Sequence, residues 1–388
     1  MTARRRVLLA MECTIGGTRR HLGQLALGLP RDRYDVTVVA SAERDATFRD
    51  DLAAIRRAGI EAIELPMVRP IDRRRDLAHY RELRRVVREG RFDIVHSHSS
   101  KAGVLGRAAS LREGIGRRVY TPHTFSFAFT AGFSRPKRAL FYGVELALGR
   151  ATHRMICVSP SEAVQARSLH LCAPDRVRVV ENGIDPTPYV SAPTRAESRA
   201  QLGLAPATRI VLVVGLQNRA KGQVDAVGAL ARIAPASRPL LLLAGGVSDP
   251  AYGREVESRI RALGVDGSVQ LLGHRDDVPR LLAAADVVLS PSRWEGMPYA
   301  VLEAMAAERA VLATATNGAR DAVVHGETGI VVPVGDLGAL AREMESLAAD
   351  PGRARSLGEA GRARVLERYT LARMIEKTAA VYDEAIDA

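Results

Sequence analysis

Cysteine is scarce in this 388-residue chain. Cys13, Cys157 and Cys172 are too few and too widely spaced for a disulfide framework or a thiolate metal site, which points to a reducing compartment with the thiols packed in cores. Aromatic residues make up only 4%, and no nucleic-acid-binding module is recognisable, which argues against a nucleic-acid partner. No stretch reaches the roughly 18 to 20 apolar residues that span a bilayer. The apolar run after Arg6 is shorter than the core of a secretory signal and is interrupted by Glu12, so it reads as a first buried strand. Low-complexity tracts are missing, and 47% hydrophobic residues are spread evenly, which excludes disordered, collagen-like and coiled-coil classes. Lysine is rare as well: only Lys101, Lys137, Lys221 and Lys377 stand among 56 basic side chains. Finally, no Asp-x-Asp pair occurs that would hold a diphosphate-bound metal.

What is present is lopsided. The net charge of +12 comes from the first half, where residues 1–190 carry 33 basic and 20 acidic side chains against 23 and 24 in residues 191–388. Such a split suggests two units with different partners, and the length suits two domains of ordinary size. Short Val/Ile/Leu-rich runs alternate with amphipathic stretches of helical period, the pattern of parallel sheets built from βαβ units. Strands are expected at 7–11, 36–40, 60–65, 94–97, 119–122, 155–158 and 177–180, then at 210–214, 240–244, 269–272, 287–290, 310–313 and 330–332. A Pro-rich segment at 186–199 reads as a linker. The expected fold class is therefore α/β, with two Rossmann-like parallel-sheet domains: residues 1–188, residues 189–370, and a C-terminal helix at 371–388 that packs back on the first domain. Parallel sheets bind ligands beyond the carboxyl ends of their strands, so two such domains are expected to face each other across a cleft.

The most informative segment is Ser290-Pro-Ser-Arg-Trp-Glu-Gly-Met-Pro-Tyr-Ala-Val-Leu-Glu303, which leaves a strand and enters a helix. Glu295 sits in the turn, and Glu303 lies about a turn and a half into the helix. Backbone N–H groups near Met297 to Ala300 offer a seat for phosphate. Carboxylates on either side suit sugar and ribose hydroxyls, because each accepts several hydrogen bonds. This segment resembles the Glu-x7-Glu motif of retaining glycosyltransferases of family 4, which have the GT-B fold. Ala304-Met-Ala-Ala307, Gly318 and the Gly326-Glu-Thr-Gly329 turn extend the resemblance.

The resemblance implies site residues. Glu295 would hold donor-sugar hydroxyls and Glu303 the nucleotide ribose, while Gly296, Met297, Pro298 and Tyr299 would meet the diphosphate. In Val214-Gly-Leu-Gln-Asn-Arg-Ala-Lys-Gly222 the family places Arg directly after the Gly and Lys five residues later, both stabilising the leaving diphosphate. Lys221 matches; Leu216 does not, and Arg219 is the candidate replacement. Such charge stabilisation ranks among the largest catalytic effects. Arg275, in Gly273-His-Arg-Asp-Asp-Val278, resembles a residue of the loop that reads the nucleotide base.

On the N-terminal side, Gly16 and Gly17 follow the first strand, where glycine lets backbone approach a ligand and a helix N-terminus favours anions. The family has a similar pair near the donor phosphates. The three-glycine dinucleotide fingerprint is missing, which argues against a nicotinamide enzyme. Two strand ends carry histidines, Val95-His-Ser-His-Ser-Ser-Lys101 and Tyr120-Thr-Pro-His-Thr-Phe125. His123 matches the family's active-site histidine, which contacts donor sugar and approaches the acceptor. His98 and Lys101 resemble residues of members that build polysaccharides and belong to the acceptor side, whereas His96 reads as structural. No metal is expected, the phosphate role being taken by Lys221 and a helix N-terminus.

The activity so implied is a metal-independent retaining glycosyltransferase moving a sugar from a nucleoside diphosphate sugar to a hydroxyl acceptor, in polysaccharide, glycolipid or glycosylated natural-product synthesis. The nucleotide sugar is a co-substrate, and no cofactor is expected. Nucleotide-sugar 2-epimerases share the two-domain design and are the alternative. Basic clusters at Arg73, Arg74 and Arg75, at Arg84, Arg85 and Arg88, and at Arg135, Lys137 and Arg138, the last followed by an amphipathic stretch at 139–148, suit an anionic or lipid-linked acceptor or the bilayer surface. The expected location is cytoplasmic, extending to the inner face of the membrane.

Overall fold

The computed structural model describes residues 4–128 and 133–388. It divides into two compact units, Met1–Asn182 with Leu371–Ala388, and Gly183–Thr370.

In the first unit, strands β1 (Arg5–Met11), β2 (Tyr34–Ala40), β3 (Glu61–Glu64), β4 (Ile94–His98), β5 (Arg117–Thr121), β6 (Arg154–Cys157) and β7 (Val177–Val179) form one parallel sheet, ordered β3-β2-β1-β4-β5-β6-β7. Successive side chains point to opposite faces. Val7, Leu9 and Met11 therefore join one apolar core, and Leu8 and Ala10 another. Burial on both faces is why each strand is an unbroken apolar run in the sequence. The C-terminal helix Leu371–Asp387 contributes Met374, Ile375, Ala379, Tyr382 and Ala385 to the first of these cores. Lys377–Glu181 and Arg33–Asp383 ion pairs fasten it further.

The second unit holds β8 (Ile210–Val214), β9 (Leu240–Ala244), β10 (Val269–Gly273), β11 (Val287–Ser290), β12 (Ala310–Thr314) and β13 (Ile330–Val332), also parallel, in the order β10-β9-β8-β11-β12-β13. All thirteen expected strands are present. The division falls at Asn182/Gly183 rather than at 188, because Ile184 already bridges Thr370, its N–H donating to the Tyr369 carbonyl at 2.8 Å. The segment expected to be a linker contains helices Thr187–Val190 and Arg195–Gln201. The second is started by a capping box in which Thr194 and Glu197 bond each other's backbone N–H groups.

Each sheet reverses its strand order once, between β1 and β4 and between β8 and β11. Loops leaving adjacent strands diverge there, and ligand sites of open α/β sheets form at such points. Charge follows the same division. The first unit has 35 basic and 23 acidic side chains and the second has 21 of each, so the whole excess of +12 belongs to the first. Among the described residues, no helix is long and apolar enough to cross a membrane.

Candidate functional site

In the second unit the loops after β8 and β11 are tied together. The Arg293 N–H donates to the Ala220 carbonyl at 2.8 Å, and the Arg293 guanidinium grips Asp225 at 2.8 and 2.9 Å. Gly222 makes the approach feasible: its φ is +69°, and a Cβ there would lie 2.1 Å from the Pro291 carbonyl oxygen. This contact places Lys221 Nζ 2.5 Å from Glu295 Oε1, which also accepts from Ser292 Oγ at 3.0 Å. Gly296, Met297, Pro298 and Tyr299 are buried between that carboxylate and the helix Tyr299–Ala306. Gly318 packs so tightly against this turn that a Cβ would sit 2.0 Å from the Gly296 carbonyl oxygen. Glu303 accepts from the Tyr189 hydroxyl at 2.7 Å. The remaining candidates of this unit are engaged elsewhere. Arg219 pairs with Glu255 at 2.7 Å and lies over Tyr252, and Arg275 forms a two-pronged pair with Asp277 at 2.6 and 2.7 Å.

In the first unit, Gly16 and Gly17 open the helix Gly16–Gly28 with exposed backbone, and Gly16 has a φ of +52°. Beside them the ends of β4 and β5 bring three histidines together. His98 Nδ1 lies 3.2 Å from His123 Nε2, and the His21 ring packs edge-on against His123 at 4.5 Å. One nitrogen from each of the three lies within 4.8 Å of the others. Burial is the main force on all of them. It lowers His21 to about 4 and holds His98 and His123 well below the ordinary imidazole value, so the cluster is neutral. His96 bonds Tyr382 Oη at 2.7 Å and Thr121 Oγ1 at 2.8 Å, a structural role for both ring nitrogens. Lys101 reaches Asp76 at 2.5 Å and the Pro70 carbonyl at 2.6 Å.

Three features of this region were not anticipated. His21 belongs to no sequence motif, and its Nδ1 lies 3.0 Å from Asn182 Oδ1, 161 positions away. Glu162 follows Ser159 at capping-box spacing, and the Ser159 hydroxyl does accept from the Glu162 N–H. The carboxylate itself accepts from Val158 N–H at 2.7 Å and Thr124 N–H at 2.6 Å, bracing the turn where His123 and Thr124 have φ of +53° and +90°. Two consecutive non-glycine residues in that region are uncommon and persist where the surroundings over-determine them. The third feature is a cavity of about 460 Å³ beyond the ends of β1, β4 and β5, which His123, Ser99 and Lys101 line together with Ile71, Leu140 and Phe141. A buried ion pair frames it: Arg107 Nη2 meets Glu145 at 2.8 Å, and Tyr120 Oη donates to the same carboxylate at 2.8 Å. The amphipathic stretch expected at 139–148 thus turns Glu145 inward, and Leu140 stays 56% exposed.

Residues 15–187 match the family described as Glycosyltransferase Family 4, and residues 194–364 match Glycosyl transferases group 1. The alpha-maltose-1-phosphate synthase of Mycolicibacterium smegmatis is 35% identical over 311 residues, 74% of this chain and 78% of that protein. The UDP-Gal:alpha-D-GlcNAc-diphosphoundecaprenol alpha-1,3-galactosyltransferase of Escherichia coli is 26% identical over 319 residues, 80% of this chain and 79% of its own length. Among solved structures, Anabaena Alr3699/HepE in complex with UDP and glucose has the same fold, with a TM-score of 0.83 at 23% identity over 97% of this chain and 99% of that one.

Proposed function

Because the chain belongs to glycosyltransferase family 4 and is a glycosyltransferase of the GT-B fold, we propose that it moves a sugar from a nucleoside diphosphate donor to a hydroxyl acceptor, with retention at the anomeric carbon and without a metal ion. The observation that carries this reading is the Lys221–Glu295 pair at the point where the second sheet reverses its order. An ammonium held there by one carboxylate is free to turn to a diphosphate. Glu295 then accepts from sugar hydroxyls, and Glu303 from those of the ribose. Arg275 and Arg219 lie on loops of the same unit and complete the donor set by exchanging their carboxylate partners for ligand.

In the reaction the bond from the anomeric carbon to the diphosphate oxygen breaks, and its electron pair leaves with the diphosphate. Lys221 and backbone N–H groups of the turn from Gly296 to Tyr299 stabilise that charge. The acceptor oxygen bonds to the anomeric carbon on the same face and yields its proton to the departing phosphate oxygen. Neutral His123 suits hydrogen bonding to sugar hydroxyls better than bulk proton transfer, since burial disfavours its charged form. Gly16 and Gly17 offer their exposed backbone to the donor phosphates. His98 and Lys101 stand with His123 at the acceptor side, in a cytoplasmic enzyme that meets the inner face of the membrane.

The Escherichia coli relative is named for a UDP-Gal donor and a GlcNAc-diphosphoundecaprenol acceptor, and the Anabaena structure contains UDP. UDP-hexoses are therefore the first donors to try, in polysaccharide, glycolipid or natural-product glycosylation. A thermal-shift panel of nucleoside diphosphates and their sugars identifies the donor, because a ligand bound only by the folded state raises the melting point. Incubation with that donor and no acceptor is the decisive control. Release of an epimerised sugar would sink the transferase reading.

A further inference from the structure

We propose that His21, His98 and His123 form a binding site for a divalent transition-metal ion, zinc above all, and that the bound ion blocks transfer by taking His123 out of the sugar site. The ion takes no part in the reaction itself. The inhibitory half rests on the reading of His123 as a residue that meets sugar hydroxyls. The three histidines come from separate elements: the helix Gly16–Gly28 that follows β1, the end of β4, and the turn after β5. The order β1-β4-β5 in the sheet sets them side by side.

Nitrogen geometry carries the inference. A tetrahedral zinc ion bonded to imidazoles at about 2.0 Å holds its ligand nitrogens roughly 3.3 Å apart. His98 Nδ1 and His123 Nε2 are already 3.2 Å apart, and the His21 ring offers a nitrogen within 4.8 Å of both ligand atoms, so small side-chain rotations complete the set. The hydrogens are arranged to suit. Asn182 Oδ1, 3.0 Å from His21 Nδ1, keeps the ring hydrogen there and leaves the lone pair on Nε2. An oxygen acceptor of this kind is the usual orienting partner of a ligating histidine. Only one hydrogen fits between His98 Nδ1 and His123 Nε2, so these positions hold more lone pairs than hydrogens, a set that suits a cation. When the ion binds, the His98 hydrogen moves to Nε2, which is buried without a partner. That cost makes the site weaker and more readily reversed than a structural zinc site. His96 stays outside, because Tyr382 and Thr121 occupy both of its nitrogens. His123 lines the cavity, which gives the ion a way in and a water for its fourth position. Nitrogen donors alone select zinc, cobalt, nickel or copper over magnesium and calcium, which prefer oxygen.

Cobalt, which takes zinc sites and absorbs visible light, tests this on the full chain. Titration with Co2+ is expected to give a four-coordinate spectrum that saturates at one ion per chain, that Zn2+ removes, and that Mg2+ in about hundredfold excess leaves unchanged. His21→Gln and His98→Gln should each weaken Zn2+ binding at least about tenfold. His123→Asn should do the same, and it keeps the test valid if the buried substitutions impair folding, because Asn tolerates the left-handed backbone of that position. Saturating Zn2+ should remove nearly all transfer, and EDTA should restore it. A spectrum that is six-coordinate, or that all three variants retain, would put the ion on surface histidines and overturn the site. Bound zinc that leaves transfer at its full rate would overturn the inhibitory half. If no acceptor supports transfer at all, the failure lies with the transferase reading, and the cobalt titration still decides the site.

Discussion

Glu162 offers a test in which sign and size both come from the structure. Burial lifts its carboxyl from the ordinary 4.5 to about 7, against the lowering effect of the Val158 and Thr124 N–H groups. A carboxyl raised in the folded state binds a proton there that the unfolded chain has already released. Its contribution is fully present below about pH 4.5 and is lost as pH rises through 7. At about 1.4 kcal/mol per pH unit between those values the loss is roughly 3 kcal/mol, most of it between pH 5 and 8. Glu162→Gln keeps the size and abolishes the titration. One amide oxygen accepts from only one of the two N–H groups, so the variant should start about 1 kcal/mol below the wild type at pH 5. It should then gain on it by 2 to 3 kcal/mol, as an order-of-magnitude expectation, by pH 8. His21 and His153, both lowered by burial to about 4, act in the opposite sense: their contribution is present above pH 6.5 and is lost as pH falls towards 4. They are common to both proteins and cancel in the difference. Urea unfolding at pH 5, 6.5 and 8 is the assay. The single tryptophan, Trp294, belongs to the second unit, so a circular dichroism transition without a matching fluorescence change reports on the first. A wild-type-to-variant difference that stays flat across this range would refute the argument that a buried carboxylate braces the His123–Thr124 turn.

Other expectations address separate parts of the molecule. Lys221→Ala should lower the transfer rate by about 10² to 10³ while moving stability by less than about 1 kcal/mol, because the pair with Glu295 is partly open to solvent; initial rates beside melting curves decide, and equal rates would remove Lys221 from the diphosphate site. Gly222→Ala should destabilise the second unit by about 2 kcal/mol or more, since left-handed backbone and a Cβ 2.1 Å from the Pro291 carbonyl oxygen oblige the loops to part; an unshifted urea midpoint in Trp294 fluorescence contradicts this. Arg107→Met should cost about 3 to 5 kcal/mol by leaving Glu145 buried and unpaired, with much of the loss recovered when Glu145→Leu is added; chemical denaturation of the single and double variants gives the comparison.

How far the sequence reaches can be judged from particular residues. Buried parallel strands are apolar on both faces, so β1, β8 or β11 shows as a continuous run that needs no knowledge of its neighbours. The strand-turn-helix that carries Glu295 and Glu303 is local in the same way. The helices inside the expected linker had a local signal too, the Thr194-x-x-Glu197 box, which the prolines around it masked. Glu162 is the opposite case: it stands at capping-box spacing from Ser159, and no local pattern announces its bond to Thr124, which spans 38 positions.

The sequence by itself determined two α/β units, the placing of the charge excess in the first of them, and the candidate residues at strand ends, because periodicity, turn chemistry and composition act over a few residues. Only the tertiary structure decided that His21 meets Asn182, that Tyr382 from the C-terminal helix satisfies His96, and that Lys221 faces Glu295. These contacts join residues that the chain order keeps far apart. They exist because the order of strands in a sheet, which no local pattern encodes, sets which loops stand side by side.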